Sequence, residues 1–360
     1  MRRALLIALW FSILFLPFGG LIASLILFAS IVIFMAILNL AKVLKPLISK
    51  THHITTYITQ TPHYIRYILP VPILLFPFYM KDYYIDVAIL TGIYIILSLG
   101  LNVVVGFCGL LNLGFVAFYA MGAYSYAILN VKAGLGFWQS LPISLALSTA
   151  SGFLLAIPAL RLRGDYLAIV TLGFGEITRL ILNNWDSFTG GPNGISGIQP
   201  PTLLGISLGK LNTYYYLVLL MVTITYIVIK RVKESRIGRA WMAIREDEVS
   251  ASTSGINVTF YKFYAFSFGA FWAGLGGILF AAKMQFVSPE SFTFMESVLI
   301  LCMVILGGLG NIGGVMLGAV ILVVLPEVLR GVQNYRMLAV GVGLILIMLF
   351  RPQGLFRCRK

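Results

Sequence analysis

The sequence predicts an all-α fold, a polytopic transmembrane helical bundle of about 10 to 12 membrane segments, some of them short or broken. The composition, one long uncharged run and the placement of positive charges all support this prediction. Of the 360 residues, 59% are hydrophobic and 11% are charged, and the mean hydropathy is +0.96. Because a soluble domain carries about one-quarter charged residues, this chain has too few polar side chains to cover a globule of its size.

Residues 87–131 form the uncharged run, 45 residues without Asp, Glu, Lys or Arg. A run of this length can cross a bilayer twice, at about 20 residues per helix. Inside hydrocarbon every backbone N–H and C=O group needs a partner within the protein, which leaves helices or a closed barrel. Barrel strands alternate apolar and polar residues in segments of about ten, whereas this run is continuously apolar. The sequence therefore predicts helices.

Two regions follow from the order of apolar and polar segments. Residues 1–66 are predicted as an N-terminal region that ends in a polar connector. Its uncharged stretch 4–41 is interrupted at Pro17–Gly20 and is either a helical hairpin or one kinked helix. Residues 67–356 are predicted as the membrane core, and residues 357–360 as a short tail.

Several apolar spans are predicted within the core. They cover residues 67–80, 84–106, 108–130, 138–160, 165–183, 212–230, 258–282, 296–308, 312–329 and 336–350. The shortest of these are typical of half-helices or re-entrant pieces that line a cavity.

The positive charges predict the orientation of the chain. With the polar connector in the cytoplasm, 19 of the 26 basic residues fall on the cytoplasmic side, including those of segment 230–257 and of the tail. This predicts a multi-pass protein of the bacterial inner membrane with a cytoplasmic C-terminus. The net charge of +14 does not indicate nucleic-acid binding, because the basic residues stand in short groups between spans.

No residue pattern indicates an enzyme. The chain lacks a glycine-rich phosphate loop ending in Lys-Ser or Lys-Thr, so it is not predicted to hydrolyse ATP itself. All three histidines fall in the polar connector without metal-ligand spacing, and the three cysteines show neither disulfide nor zinc spacing. We therefore expect no catalytic residue, metal or cofactor on this chain, and a function in passage or binding.

Segment 230–257 is the most informative polar stretch. Its apolar residues recur at helical spacing, which predicts one amphipathic helix over 237–249 with a stop at Gly255. The stripe consists of Ile237, Ala240, Trp241 and Ile244. Such a helix either docks onto a soluble partner or lies on the lipid surface, and composition alone leaves both open.

Two features within or near the span 165–183 are candidates for a function. Glu176 and Arg179 stand at i, i+3 and are predicted to pair near the external end of the helix, where they would hold the following loop. Ionisable residues at membrane depth suggest function, although a structural ion pair is the alternative. The Gly/Pro-rich stretch 189–194 is either part of a substrate entrance or a plain connector.

Several segments then resemble a known family. They read GFCGLLNLGFVAFYAMGAYSYAIL at 106–129, LRLRGDYLAIVTLGFGEITRLILNN at 160–184, TGGPNGISGI at 189–198, IGRAWMAIREDEVSAS at 237–252, FVSPESFTFMES at 286–297, ILGGLGNIGG at 305–314 and RPQGL at 351–355. In this order they resemble the LivM-type permeases, the transmembrane subunits of importers for branched-chain amino acids that are driven by ATP-binding-cassette (ABC) proteins.

The resemblance implies a second permease, two cytoplasmic ATPases that bind ATP and Mg²⁺, and a periplasmic or lipid-anchored amino-acid-binding protein. It also favours docking for segment 230–257, with Trp241 and Ile244 as anchors in an ATPase groove. The coupling residues it implies are Arg239, Trp241, Ile244, Arg245, Glu246, Asp247, Glu248 and Gly255. The residues expected on a substrate path or gate are Asn112, Glu176, Arg179, Thr189, Gly190, Gly191 and Asn193.

Two alternatives to branched-chain amino-acid transport stay open. Related permeases carry urea or short amides, and a membrane assembly protein without transport would share the same composition. Uptake of labelled leucine and urea would separate these functions.

Overall fold

The core of the protein is a bundle of antiparallel and parallel helices, seen in a computed structural model. The structure describes residues 80–328 except 161, 163, 204 and 205, together with residues 74, 76–78 and 341. The predicted stretch 4–41, the connector 42–66, the tail 357–360 and most of the spans 67–80 and 336–350 lie outside the described residues.

The helices have the following bounds. They are α1 Asp82–Leu101, α2 Phe115–Val131, α3 Phe137–Ala159, α4 Asp165–Asn184, α5 Asp186–Thr189, α6 Leu211–Glu234, α7 Arg236–Glu246, α8 Glu248–Thr253, α9 Val258–Met284, α10 Phe294–Gly307 and α11 Ile312–Val328. A π-helical stretch, Asn102–Phe107, continues α1, and 3₁₀ turns cover Gly191–Asn193 and Pro289–Phe292.

Four of these segments are long and apolar enough to cross a membrane. They are Asp82–Phe107, Phe137–Ala159, Leu211–Glu234 and Val258–Met284. Each agrees within a few residues with a predicted span, because an apolar run of about 20 residues bounded by polar residues leaves little choice of boundary. The all-α fold class is confirmed.

Helix α9 lies at the centre and packs against α1, α2 and α3. Small residues allow the backbones to come close, since a Cβ atom at Gly122 would collide with the backbone of Gly274, and one at Gly277 with the carbonyl of Tyr119. These glycines therefore serve close packing of the helices.

Helix α2 is shorter than predicted, because residues 108–114 of the span 108–130 are not helical. Gly109 adopts φ +76, which turns the chain back into the bundle after the π-helical stretch. Gly114 then passes so close to the carbonyl of Thr171 that no side chain fits between them. The apolar composition predicted a continuous helix here, whereas the backbone of this stretch is irregular.

The two ends of α1 define the two faces of the bundle. At its first end, which we call the Asp82 end, Lys283 Nζ lies 2.8 Å from Asp86 Oδ1. Here also β1 (Ile195–Ser196) pairs antiparallel with β4 (Phe286–Val287). A second two-stranded pair, β2 (Thr202–Leu203) with β3 (Ile206–Ser207), lies in the same connection.

The opposite face, which we call the Gly106 end, holds the end of the π-helical stretch, the connection from α6 to α9 and the turn between α10 and α11. Helix α10 reaches this face from inside the bundle. Its first turn bonds to Tyr94, near the middle of Asp82–Phe107, through Glu296. Its last residues precede Gly310, whose N–H donates to Asn102 Oδ1 over 2.9 Å.

Candidate functional site

The connection 235–257, which we call the coupling segment, is folded as two helices rather than one. Ser235 caps α7 by accepting hydrogen bonds from the N–H groups of Ile237 and Gly238. The single predicted helix 237–249 is wrong, because Asp247 is extended and its side chain accepts from Ser250 N over 2.8 Å, which starts α8.

Helix α8 ends at a glycine, as predicted. Gly255 has φ +83, its N–H donates to Ser252 O, and the next N–H donates to Ala251 O, both over 3.1 Å. This pair of bonds around a left-handed residue is the Schellman motif, which a glycine adopts without steric cost. The motif turns the chain from α8 into α9.

The apolar stripe of α7 faces the protein's own bundle. Trp241 is fully buried, its Nε1 donates to Tyr261 O over 2.8 Å, and its ring stacks on that of Tyr264. Ile244 is 5% exposed. The predicted use of Trp241 and Ile244 as anchors in a groove of another subunit is therefore wrong, because both side chains are already buried within this chain, and Trp241 packs against α9.

Three polar contacts tie the coupling segment and the end of α6 to the bundle. The Arg245 guanidinium donates to the carbonyl of Gly106 at the end of the π-helical stretch. Lys233 Nζ donates to Gly310 O over 2.9 Å, in the turn between α10 and α11. Lys262 Nζ, in the first turns of α9, lies 2.8 Å from Glu248 Oε1. Arg245 and Glu248 thus contact their own chain, whereas they were expected to orient a partner.

The side of the coupling segment that faces away from the bundle is exposed. Arg239, Glu246 and Asp247 are exposed on this surface, and their contact with a partner stays a prediction. Val249 on α8 is 60% exposed, although it is apolar. Sequence reasoning missed Val249, because a single apolar residue after three acidic ones does not continue the stripe of α7.

Asn112 lies within the irregular stretch 108–114 and is fully buried. Its Oδ1 accepts from Gly114 N over 3.0 Å, while its Nδ2 has no hydrogen-bond partner among the described residues. Thr171 Oγ1 accepts from Leu113 N over 3.0 Å and fixes the same stretch to α4. The Nδ2 group of Asn112 is thus a buried donor without a partner there, and its place on a substrate path stays a prediction.

The predicted pair of Glu176 and Arg179 is confirmed. Arg179 Nε and Nη2 donate to Glu176 Oε2 over 3.0 and 2.9 Å, and about a third of each side chain is exposed. These bonds join the two side chains to each other, whereas the loop after α4 is held by Thr189. Its single Oγ1 proton is shared between Leu182 O at 2.6 Å and Trp185 O at 2.8 Å.

The stretch 189–194 is a compact connector at the Asp82 end. Gly190 and Gly191 have φ +77 and +56, and a Cβ atom on Gly194 would meet the carbonyl of Val287 in β4. Asn193 is exposed beside them. The structure does not bring these residues together with Asn112, which lies between the π-helical stretch and α2.

A polar pair that the sequence analysis missed lies at mid-depth. Tyr94 Oη donates to Glu296 Oε2 over 2.8 Å, which joins α1 to the first turn of α10. The predicted span 296–308 begins at Glu296, so the sequence placed this residue at the polar boundary of a span. Only the position of α10 within the bundle shows that Glu296 lies far from either face.

The fold and the arrangement of these sites define a helical membrane permease with a polar connection folded onto one face. The chain belongs to the family described as "Branched-chain amino acid transport system / permease component", whose model matches residues 83–350. It is therefore a permease of a transport system rather than a member of an enzyme family.

Curated relatives include permeases of branched-chain amino acid transport systems. The chain is 49% identical over 302 residues to the high-affinity branched-chain amino acid transport system permease protein LivM of Salmonella typhimurium, and equally to LivM of Escherichia coli. Each alignment covers 78% of this chain and 71% of the relative. The permease LivH of Salmonella typhimurium is 24% identical over 282 residues, which cover 73% of this chain and 90% of LivH. No solved structure gives a significant match.

Proposed function

We propose that this chain carries leucine, isoleucine and valine into the cytoplasm as one of two related permease subunits of an ABC importer. The names of LivM and LivH describe permeases of one kind of transport system, and this chain is similar to both. A second permease, two cytoplasmic ATPases and an amino-acid-binding protein outside the membrane are the partners that this function needs.

The proposed orientation places the Gly106 end in the cytoplasm. The basic residues Lys233, Arg236, Arg239 and Arg245 all belong to this face, and positive charge is retained on the cytoplasmic side of bacterial membranes. The ATPases, with their ATP and Mg²⁺, then meet the coupling segment, while the binding protein delivers substrate at the Asp82 end.

The proposed coupling to the ATPases rests on the contacts between the coupling segment and the bundle. Within the segment, Arg245 bonds to Gly106 and Glu248 pairs with Lys262 of α9. Just before the segment, Lys233 bonds to Gly310. A displacement of the segment therefore reaches three parts of the bundle together. Its outer surface presents Val249 to a partner. A well-packed apolar contact supplies most of the energy at an interface, and the surrounding charges add orientation.

Replacement of Val249 by Asp tests the docking surface. We expect the variant to reach the membrane in normal amount, but to lose most of the co-purifying ATPase and its ATP-dependent leucine uptake. Val131→Asp is the matched control, since Val131 is 42% exposed at the Asp82 end. Normal ATPase retention by Val249→Asp would show that the segment lies on lipid instead.

The substrate is tested by uptake in cells with and without this gene. We expect labelled leucine uptake to depend on the gene and labelled urea uptake to be unaffected by it. Gene-dependent urea uptake without leucine uptake would contradict the proposed substrate and leave the permease fold intact.

A further inference from the structure

The side chains of α1 show where the bundle wall is open at mid-depth. From Thr91 to Phe107, every residue is buried except Tyr94. Tyr94 is partly exposed and is hydrogen-bonded to Glu296, which is also only partly buried. The wall therefore has one polar opening in this stretch, and it consists of a phenol hydrogen-bonded to a carboxyl group.

Glu296 has no charged partner in the part of the chain that the structure describes. The ion pairs there join Arg179 to Glu176, Lys262 to Glu248 and Lys283 to Asp86. A carboxylate at the centre of a bilayer is costly, and such residues face a cavity or a polar partner. Glu296 is thus placed to accept a positively charged group that reaches this opening.

We propose that Glu296 and Tyr94 bind the α-ammonium group of the amino acid as it crosses the membrane, which rests on the proposed transport function. An ammonium group has three N–H donors and no acceptor. Glu296 supplies the negative charge, and the Tyr94 oxygen, whose proton is donated to Glu296, offers a lone pair to a second N–H donor.

The surroundings of the pair suit an aliphatic side chain. Leu90 stands one turn from Tyr94 on α1, and Leu299 one turn from Glu296 on α10, and both are partly exposed. A ligand with a cationic end and an apolar body matches this surface, whereas urea offers neither.

The test uses the complete importer, with its partner subunits, reconstituted into vesicles. We expect Glu296→Gln to lower ATP-driven leucine uptake roughly tenfold or more, as for loss of a charged hydrogen bond, and Glu296→Asp to retain part of it. Glu290→Gln is the matched control, because Glu290 is exposed in the preceding 3₁₀ turn. Assembly and ATP hydrolysis are measured in the same samples.

The outcomes are distinct. Normal uptake by Glu296→Gln would overturn the assignment, and so would loss of assembly, which would mean that Glu296 pairs with a cation of the second permease. Absence of leucine uptake by the unaltered complex would instead refute the proposed function itself.

Chemical rescue separates charge from shape. In a chain whose native cysteines are replaced by alanine and which still takes up leucine, Glu296→Cys is treated with thiol reagents of similar size. A sulfonate-bearing reagent is expected to restore uptake at least in part, whereas a trimethylammonium-bearing reagent is expected to leave it blocked. Equal effects of the two reagents would contradict a site for an ammonium group.

Discussion

Lys262 is a charged residue that the fold has removed from water. It is 3% exposed, and its Nζ lies 2.8 Å from Glu248 Oε1. A buried ammonium group that loses its partner keeps the cost of dehydration without the compensating attraction. The pair therefore fixes α8 to the start of α9, and we expect Glu248 to matter for stability as well as for coupling.

Substitution of Glu248 by Gln is expected to destabilise the protein by roughly 1–3 kcal/mol, because it leaves Lys262 buried without a counter-charge. Adding Lys262→Met removes the stranded charge and is expected to recover much of the loss. Thermal unfolding of the two single variants and the double variant in detergent gives the comparison. Strictly additive losses would show that the two residues are not coupled.

Single contacts were predictable where the helix period determines them. The pair Glu176 and Arg179 follows from i, i+3 spacing, because neighbours on one helix face meet whatever the rest of the fold does. The bond from Arg245 to Gly106 joins residues 139 positions apart, so no local spacing encodes it. Tyr94 and Glu296, 202 positions apart, escaped prediction for the same reason.

At the scale of elements, α7 is an amphipathic helix whose apolar face is buried against the bundle. Its apolar spacing predicted a helix with one buried face correctly. The spacing did not indicate what covers that face, because an apolar stripe fits the chain's own α9 as well as another subunit. The stretch 108–114 shows the converse case, where apolar residues form irregular backbone because Thr171 and Asn112 satisfy its N–H groups.

The tether between α7 and the end of the π-helical stretch is tested by Arg245→Gln. We expect the variant to retain its ATPases, since the surface around Val249 is unchanged, but to take up less leucine for each ATP hydrolysed. Arg231→Gln is the matched control, an exposed arginine in the last turn of α6. The ratio of ATP hydrolysed to leucine transported is measured in vesicles, and an unchanged ratio in Arg245→Gln would argue against transmission through this contact.

At the scale of the whole molecule, the alternation of spans determines which connections share a face. The structure agrees with that alternation, since β1 and β4 pair at the Asp82 end while Arg245 and Gly310 meet at the Gly106 end. The long spans were predictable because hydrophobic length alone defines them. The depth at which α10 begins could not be predicted from the sequence, because it depends on how α10 packs against α1.

The orientation of the whole molecule is tested by cysteines introduced at Ser187 and Ser252, which are exposed on opposite faces. We expect an impermeant thiol reagent, added to intact spheroplasts, to label the cysteine at 187 and to leave the one at 252 unlabelled. Labelling of both after permeabilisation shows that each site is reactive. The reverse pattern would invert the proposed topology.

The length of α10 has a consequence for how the chain enters the membrane during synthesis. Its 14 residues extend only about 21 Å, which is less than the roughly 30 Å of hydrocarbon that an independent span must cross. We therefore expect α10 to partition into the bilayer only together with α11, as a hairpin folded at Gly308 and Gly310. A nascent chain that ends at Gly307 would leave α10 in water, and one that ends at Val328 would insert both helices.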